Sequence, residues 1–193
     1  MTQTIEREFK VSLTEQQFKQ LQAAYPWPTP FTQTNYYYEL PQNELQRRHM
    51  GLRTRLYQDH AEQTLKVPQA GATRTLLEIT DTMPLATAQQ LIAQQTIQPN
   101  QQIAKYLETI GIDWSPLFIW GQATTKRRVL TLPSRRLTLD QITYPDQTAD
   151  YELELEFDDM ILAQPFFQDI VARFKLTQTA PLNKIQRAKN HQS

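Results

Sequence analysis

The sequence predicts an α+β chain built mainly on antiparallel strands, either an open sheet or a β-barrel with helices inserted. Two observations carry this. Most segments alternate charged and apolar residues with a period of two, the pattern of strands with two unlike faces. Between them stand short turn signals and a few stretches of helical periodicity.

Residues 2–11 alternate as a first strand, with Glu6, Glu8 and Lys10 on one face. Thr14 is placed to cap a short helix running to about Ala24, with Leu13, Phe18 and Leu21 as its apolar contacts. The stretch Pro26–Pro30 is a linker turn. Phe31–Leu40, with three consecutive tyrosines, reads as a strand. Residues 42–49 form a short helix or loop. Gly51–Asp59 and Gln63–Val67 make a hairpin about Asp59-His60-Ala61, and Thr73–Thr80 extends it as a meander. Helices are expected at Thr87–Gln95 and Asn100–Ile110, broken by Pro99 and closed by Gly111. Two long strands, Leu117–Leu132 and Arg136–Tyr144, join through Pro133-Ser134. Asp150–Phe157 is a strand, Ile161–Phe174 an amphipathic helix, and Pro181–Ser193 a basic tail with a short helix.

The length of 193 residues suits one domain, spanning 1–193. Hydrophobic residues make up 39%, enough for a core. Cysteine is absent, which excludes disulfides and thiolate chemistry. His49, His60 and His191 lack ligand spacing, so a zinc site is not expected. No apolar run is long enough to span a bilayer and no signal-peptide pattern is seen, so a cytoplasmic protein without membrane partners is expected. Twenty basic residues balance 20 acidic ones, and no general attraction to nucleic acid is expected.

The charges are sorted by face. Arg53 and Arg55 share one face, with Leu52 and Leu56 on the other. Lys66 lies opposite Leu65 and Val67. Glu78 stands on the next strand, with Arg74 on its face. Arg127 shares a face with Thr125, and Lys126 with Arg128. Asp140 lies opposite Leu137 and Leu139. Glu152, Glu154 and Glu156 lie opposite Tyr151, Leu153, Leu155 and Phe157. An ordinary barrel or open sheet would turn these charges to solvent. Two features argue for the reverse. The charges come as like-sign clusters, which repel along a sheet. The helices also need an apolar sheet face to cover. Helices outside would turn the charges inward, where they must pair or hold ligands. A polyanion with a divalent cation satisfies both signs at once. Glu6 and Glu8 alone already suggest a hard-cation site, although a charged solvated strand explains them equally.

These pieces resemble one family. The N-terminal Glu-x-Glu-x-Lys stands here as Glu6, Glu8 and Lys10. In order follow Asn35-Tyr36-Tyr37-Tyr38-Glu39, Leu52-Arg53-Thr54-Arg55, Thr64-Leu65-Lys66, Leu77-Glu78 and Thr124-Thr125-Lys126-Arg127. Leu139-Asp140, Tyr151-Glu152-Leu153-Glu154 and Asn183-Lys184-Ile185-Gln186-Arg187 complete the set. Nearly the whole chain thus resembles the CYTH superfamily, the triphosphate tunnel metalloenzymes, and looks closest to its stand-alone Firmicute-type branch. There are two departures. Glu39 stands where members commonly have aspartate. The segment Arg74–Glu78 lacks an acidic residue that some members carry two positions before its end.

The resemblance implies an eight-stranded antiparallel barrel forming a tunnel, with helices packed outside and a small-molecule triphosphate within. It implies phosphate binding by Lys10, Arg53, Arg55, Lys66 and Arg127, with Lys184 and Arg187 as further contacts. It implies Mg²⁺ or Mn²⁺ held by Glu6 and Glu8 with Glu152, Glu154 or Glu156, and Glu78 and Asp140 as second-tier groups. Glu6, Glu8 and Lys10 are its catalytic motif. The implied activity is metal-dependent hydrolysis of inorganic or thiamine triphosphate. The alternatives are a class IV-type adenylyl cyclase and a non-catalytic triphosphate or polyphosphate binder. A homodimer is compatible with the sequence. The tyrosine run, Trp114 and Trp120 read as wall and core packing, and His49 and His60 as solvated.

Overall fold

A computed structural model describes residues 2–70, 75–177 and 184–191. Arg74 and Asn183 lie outside the described residues. The strands are β1 (Thr2–Leu13), β2 (Phe31–Glu39), β3 (Gly51–Leu56), β4 (Ala61–Pro68), β5 (Thr75–Met83), β6 (Phe118–Leu132), β7 (Arg135–Thr143) and β8 (Ala149–Phe157). All pair antiparallel into one closed barrel, in the order β1-β5-β4-β3-β2-β6-β7-β8. β1 closes it by pairing with β5 through Thr2–Arg7 and with β8 through Glu8–Leu13.

The helices are α1 (Glu15–Ala24), α2 (Glu44–Arg47), α3 (Leu85–Ala93), α4 (Gln102–Thr109), α5 (Met160–Phe174) and α6 (Lys184–Asn190). Thr14 caps α1 as expected, and with Gln17 it forms a reciprocal capping box. The apolar core lies between the barrel's outer face and these helices. Val11, Leu137, Leu139, Leu153 and Leu155 pack with Leu21, Phe167 and Ile170 on one side. Leu52, Leu65 and Ile79 pack with Ile103 and Leu107 on the other. Alternation then forces the other side chains of the same strands into the lumen. Among the described residues, no helix is long and apolar enough to cross a membrane.

Several boundaries differ from the sequence reading. β3 stops at Leu56 rather than Asp59, because the Tyr57 amide bonds the His60 carbonyl at 2.9 Å to close the turn. β5 continues past Thr80 to Met83. Buried Asp81 there accepts from the amides of Gln102 and Ile103 and so caps α4. The Glu39 departure has a structural role. Its buried carboxylate accepts from the amides of Leu40, Leu45 and Gln46, anchoring the chain at the start of α2.

Candidate functional site

The lumen encloses a cavity of about 340 Å³. Register brings the charged positions to it. Lys66 pairs with Glu78, Arg53 with Thr64, and Arg55 with Glu62. Arg127 pairs with Asp140, Asp140 with Glu152, and Lys10 with Glu154. At Lys66, Arg55, Arg127 and Lys10 the neighbouring strand supplies the opposite sign. Asp140–Glu152 and Glu8–Glu156 are acidic pairs across strands, and cations from elsewhere in the lumen meet them.

One wall is acidic and already paired. Lys10 lies 2.8 Å from Glu154 and 3.5 Å from Glu8 and Glu152. Lys66 bridges Glu6 and Glu78, 2.6 Å from each. Arg127 meets Asp140 at 2.6 Å and Glu154 at 3.0 Å. Lys184, from α6, reaches Asp140 at 2.6 Å and Glu152 and Glu154 at 2.9 Å. Arg187 holds Asp150 and Glu152. Arg136, given no role by the sequence, binds Glu156 and lines the cavity.

The opposite wall differs. Arg55 is only 7% exposed. Its Nε donates to Asn35 at 2.9 Å and its Nη1 to the Tyr57 hydroxyl at 3.2 Å. Arg53 lies half-buried beside it, and its buried Nε has no hydrogen-bond partner. Among the described residues, neither guanidinium has a carboxylate within ion-pair distance. Burial first, then the fields of Arg53 and Arg127, lower the Arg55 pKa to about 10. Neither is gripped by a carboxylate: the Arg53 field reaches Glu78 and the Tyr57 hydroxyl links Arg55 to Glu62, so this wall keeps guanidinium donors for an anion from outside.

The acidic groups divide by environment. Burial opposes ionisation of Glu78, but Lys66 and Arg53 outweigh it and hold it at about 2. Burial likewise works against charged Asp140 and Glu154, yet the surrounding cations keep both below the usual carboxylate range. Burial prevails at Glu152 and Glu156, whose pKa values are raised. Burial disfavours the charged forms of Arg127 and Lys184 too, and their acidic partners more than compensate.

Asp140, Glu152 and Glu154 each offer an oxygen within 4.8 Å of the others. An all-oxygen carboxylate set suits Mg²⁺ or Mn²⁺. Glu154 belongs both to this cluster and to the cavity lining, as do Glu6 and Glu156 to the lining alone. Glu8 and Glu152 are buried and stand behind the lining side chains. Lys126 and Arg128 point to the outer face, as alternation requires; Arg128 lies over the Phe18 ring. Tyr37, read as wall packing, lines the cavity, and so do Glu62 and Thr64, given no role by the sequence. Their alternation was visible, but nothing local distinguished them from wall residues.

A CYTH domain model matches residues 3–188. The chain belongs to the CYTH domain family. The CYTH match is joined by a relative from Bacillus subtilis (strain 168), named "Putative triphosphatase YjbK". It is 28% identical over 190 residues, 97% of this chain and 95% of that one. A crystal structure from Bacillus halodurans, called a "putative adenylate cyclase", is 29% identical. It superposes with a TM-score of 0.86 over 97% of this chain and 98% of its own. The Hippeastrum protein HpAC1, described as having a dominant triphosphatase activity, is 17% identical. It shares the CYTH fold at a TM-score of 0.77 over 96% of this chain and 95% of its own.

Proposed function

We propose that the barrel binds a small-molecule triphosphate and hydrolyses its terminal phosphoanhydride with a divalent cation, Mg²⁺ or Mn²⁺. The observation that carries this is the Arg53–Arg55 wall, cationic, cavity-lining and, among the described residues, without a carboxylate at ion-pair distance. The name of the Bacillus subtilis relative points the same way.

In this reading Arg53, Arg55 and Arg127 take phosphoryl oxygens through their planar forks, and Lys66 and Lys10 act as point charges. Lys184 and Arg187 add positive charge from α6. Glu154, with Asp140 and Glu152 or with Glu6 and Glu156, holds the cation; Glu8 supports Lys10, and Glu78 supports Lys66. The bound cation supplies charge neutralisation at the phosphoryl oxygens. Where Asp140, Glu152 and Glu154 hold the cation, the Glu156 carboxylate, cavity-lining and paired with Arg136, is placed to orient an attacking water and take its proton. In-line attack of that water on the terminal phosphorus forms a new P–O bond as the bridging P–O bond breaks, giving orthophosphate and the departing diphosphate end of the substrate without a covalent enzyme intermediate.

The Bacillus halodurans relative's name favours a second reading, cyclisation of a nucleoside triphosphate. Product analysis separates them. Tripolyphosphate, thiamine triphosphate and ATP are each incubated with Mg²⁺ or Mn²⁺. Orthophosphate, lost in Glu6→Gln, supports hydrolysis; cyclic AMP and pyrophosphate support cyclisation. Tight binding with no product leaves a triphosphate-binding protein and overturns both.

A further inference from the structure

The two ends of the tunnel are unlike. At one end α6 sits against the barrel. A Cβ on Gly121 would lie 2.9 Å from the Ala188 backbone, and one on Gly51 would lie 2.8 Å from Ile185. Lys184 reaches inward from this helix to three carboxylates. Gly121 pairs with Tyr37, whereas Arg127 pairs with Phe31 at the far end of β2. Six residues of strand put these rims roughly 20 Å apart.

We propose that the rim remote from α6 is a stacking platform, formed by Tyr57 with Phe31 and His60, for the planar heteroaromatic ring of an organic triphosphate. The proposal rests on the triphosphate reading above and names residues that select among its substrates. α6 narrows one end, and a group attached to the phosphate chain finds an aromatic rim at the other. There Tyr57 both lines the cavity and joins the anion site, its hydroxyl meeting Arg55 and, at 3.2 Å, Glu62. The His60 ring backs Tyr57 in parallel, with centroids 4.4 Å apart and planes at 13°. Phe31 stands 6.3 Å from Tyr57 and is 42% exposed. A rigid aromatic surface continuous with a guanidinium pair matches a flat, π-rich ring joined to phosphates by a short linker. Nucleobases and the rings of thiamine share this chemistry; inorganic tripolyphosphate lacks it.

The test is calorimetric binding, with kinetics alongside, of tripolyphosphate, thiamine triphosphate and ATP to wild type, Phe31→Ala and His60→Ala. Phe31 is partly exposed, so its truncation leaves the fold intact. The expected result is about a tenfold weaker Kd for at least one ring-bearing triphosphate, with tripolyphosphate unchanged. A larger loss for ATP identifies a nucleobase, and a larger loss for thiamine triphosphate identifies the thiamine rings. Equal losses for all three, or none, overturn the platform. Selective loss of binding in a protein that hydrolyses nothing would keep the platform and refute the hydrolase reading.

Discussion

Arg127 grips Asp140 through two parallel hydrogen bonds, Nε to Oδ1 at 2.8 Å and Nη2 to Oδ2 at 2.6 Å. Its Nη2 also reaches Glu154 at 3.0 Å. One planar fork thus ties β6 to β7 and β8 and fixes a cavity-facing charge. Arg127→Lys keeps the charge but loses the fork. It should cost about 1–2 kcal/mol of stability and roughly tenfold in kcat/KM for a triphosphate, about 1.4 kcal/mol. Denaturant melts and steady-state kinetics check both.

Acid sensitivity follows from Glu78. Its folded pKa of about 2 lies below the ordinary 4.5, because Lys66 and Arg53 outweigh its burial. The stability this provides is present above the unfolded value and is lost as pH falls through the folded one. Chelator-treated protein should therefore lose stability between about pH 4.5 and 2, and Glu78→Gln should flatten that part of the curve. Thermal melts across this range measure it.

Gly121 should be less replaceable than Gly51. A methyl at Gly121 meets the α6 backbone at Ala188 and Lys189, whereas at Gly51 it meets only the flexible tip of Ile185. Gly121→Ala should displace α6 and raise amide hydrogen exchange in that helix about tenfold, with Gly51→Ala close to wild type. Loosening α6 withdraws Lys184 and Arg187 from their carboxylates, so KM for the triphosphate should rise as well.

Much of this was legible because a strand's period is unforgiving. Glu152, Glu154 and Glu156 alternate with Leu153, Leu155 and Phe157, so once helices cover the apolar side the acids must face inward. The same logic placed Glu6, Lys66 and Arg127 in the lumen. Pairing was not legible. The bond of Arg136 to Glu156, and the insertion of Arg187 onto Asp150 and Glu152, depend on register and on a helix distant in sequence. The lone Glu39 could not announce itself as an anchor for α2, since its three amide partners are assembled only by the fold.

Metal removal gives a further expectation. Chelation should abolish hydrolysis, and either Mg²⁺ or Mn²⁺ should restore it, since the available donors are carboxylate oxygens. Glu154→Gln, which removes a charge shared by the acidic cluster and the cavity lining, should block restoration in an activity titration against metal concentration.

The most direct measurement is a calorimetric titration of tripolyphosphate into Arg53→Met, paired with a thermal melt. Arg53 faces the cavity, and its buried Nε has no hydrogen-bond partner among the described residues; removing it relieves repulsion at Arg55 but withdraws a field that helps keep Glu78 ionised, so its effects on stability oppose each other. The prediction is affinity weaker by at least about tenfold, with a melting temperature close to wild type. Wild-type affinity in a folded variant would contradict the claim that this wall is held ready for a polyphosphate.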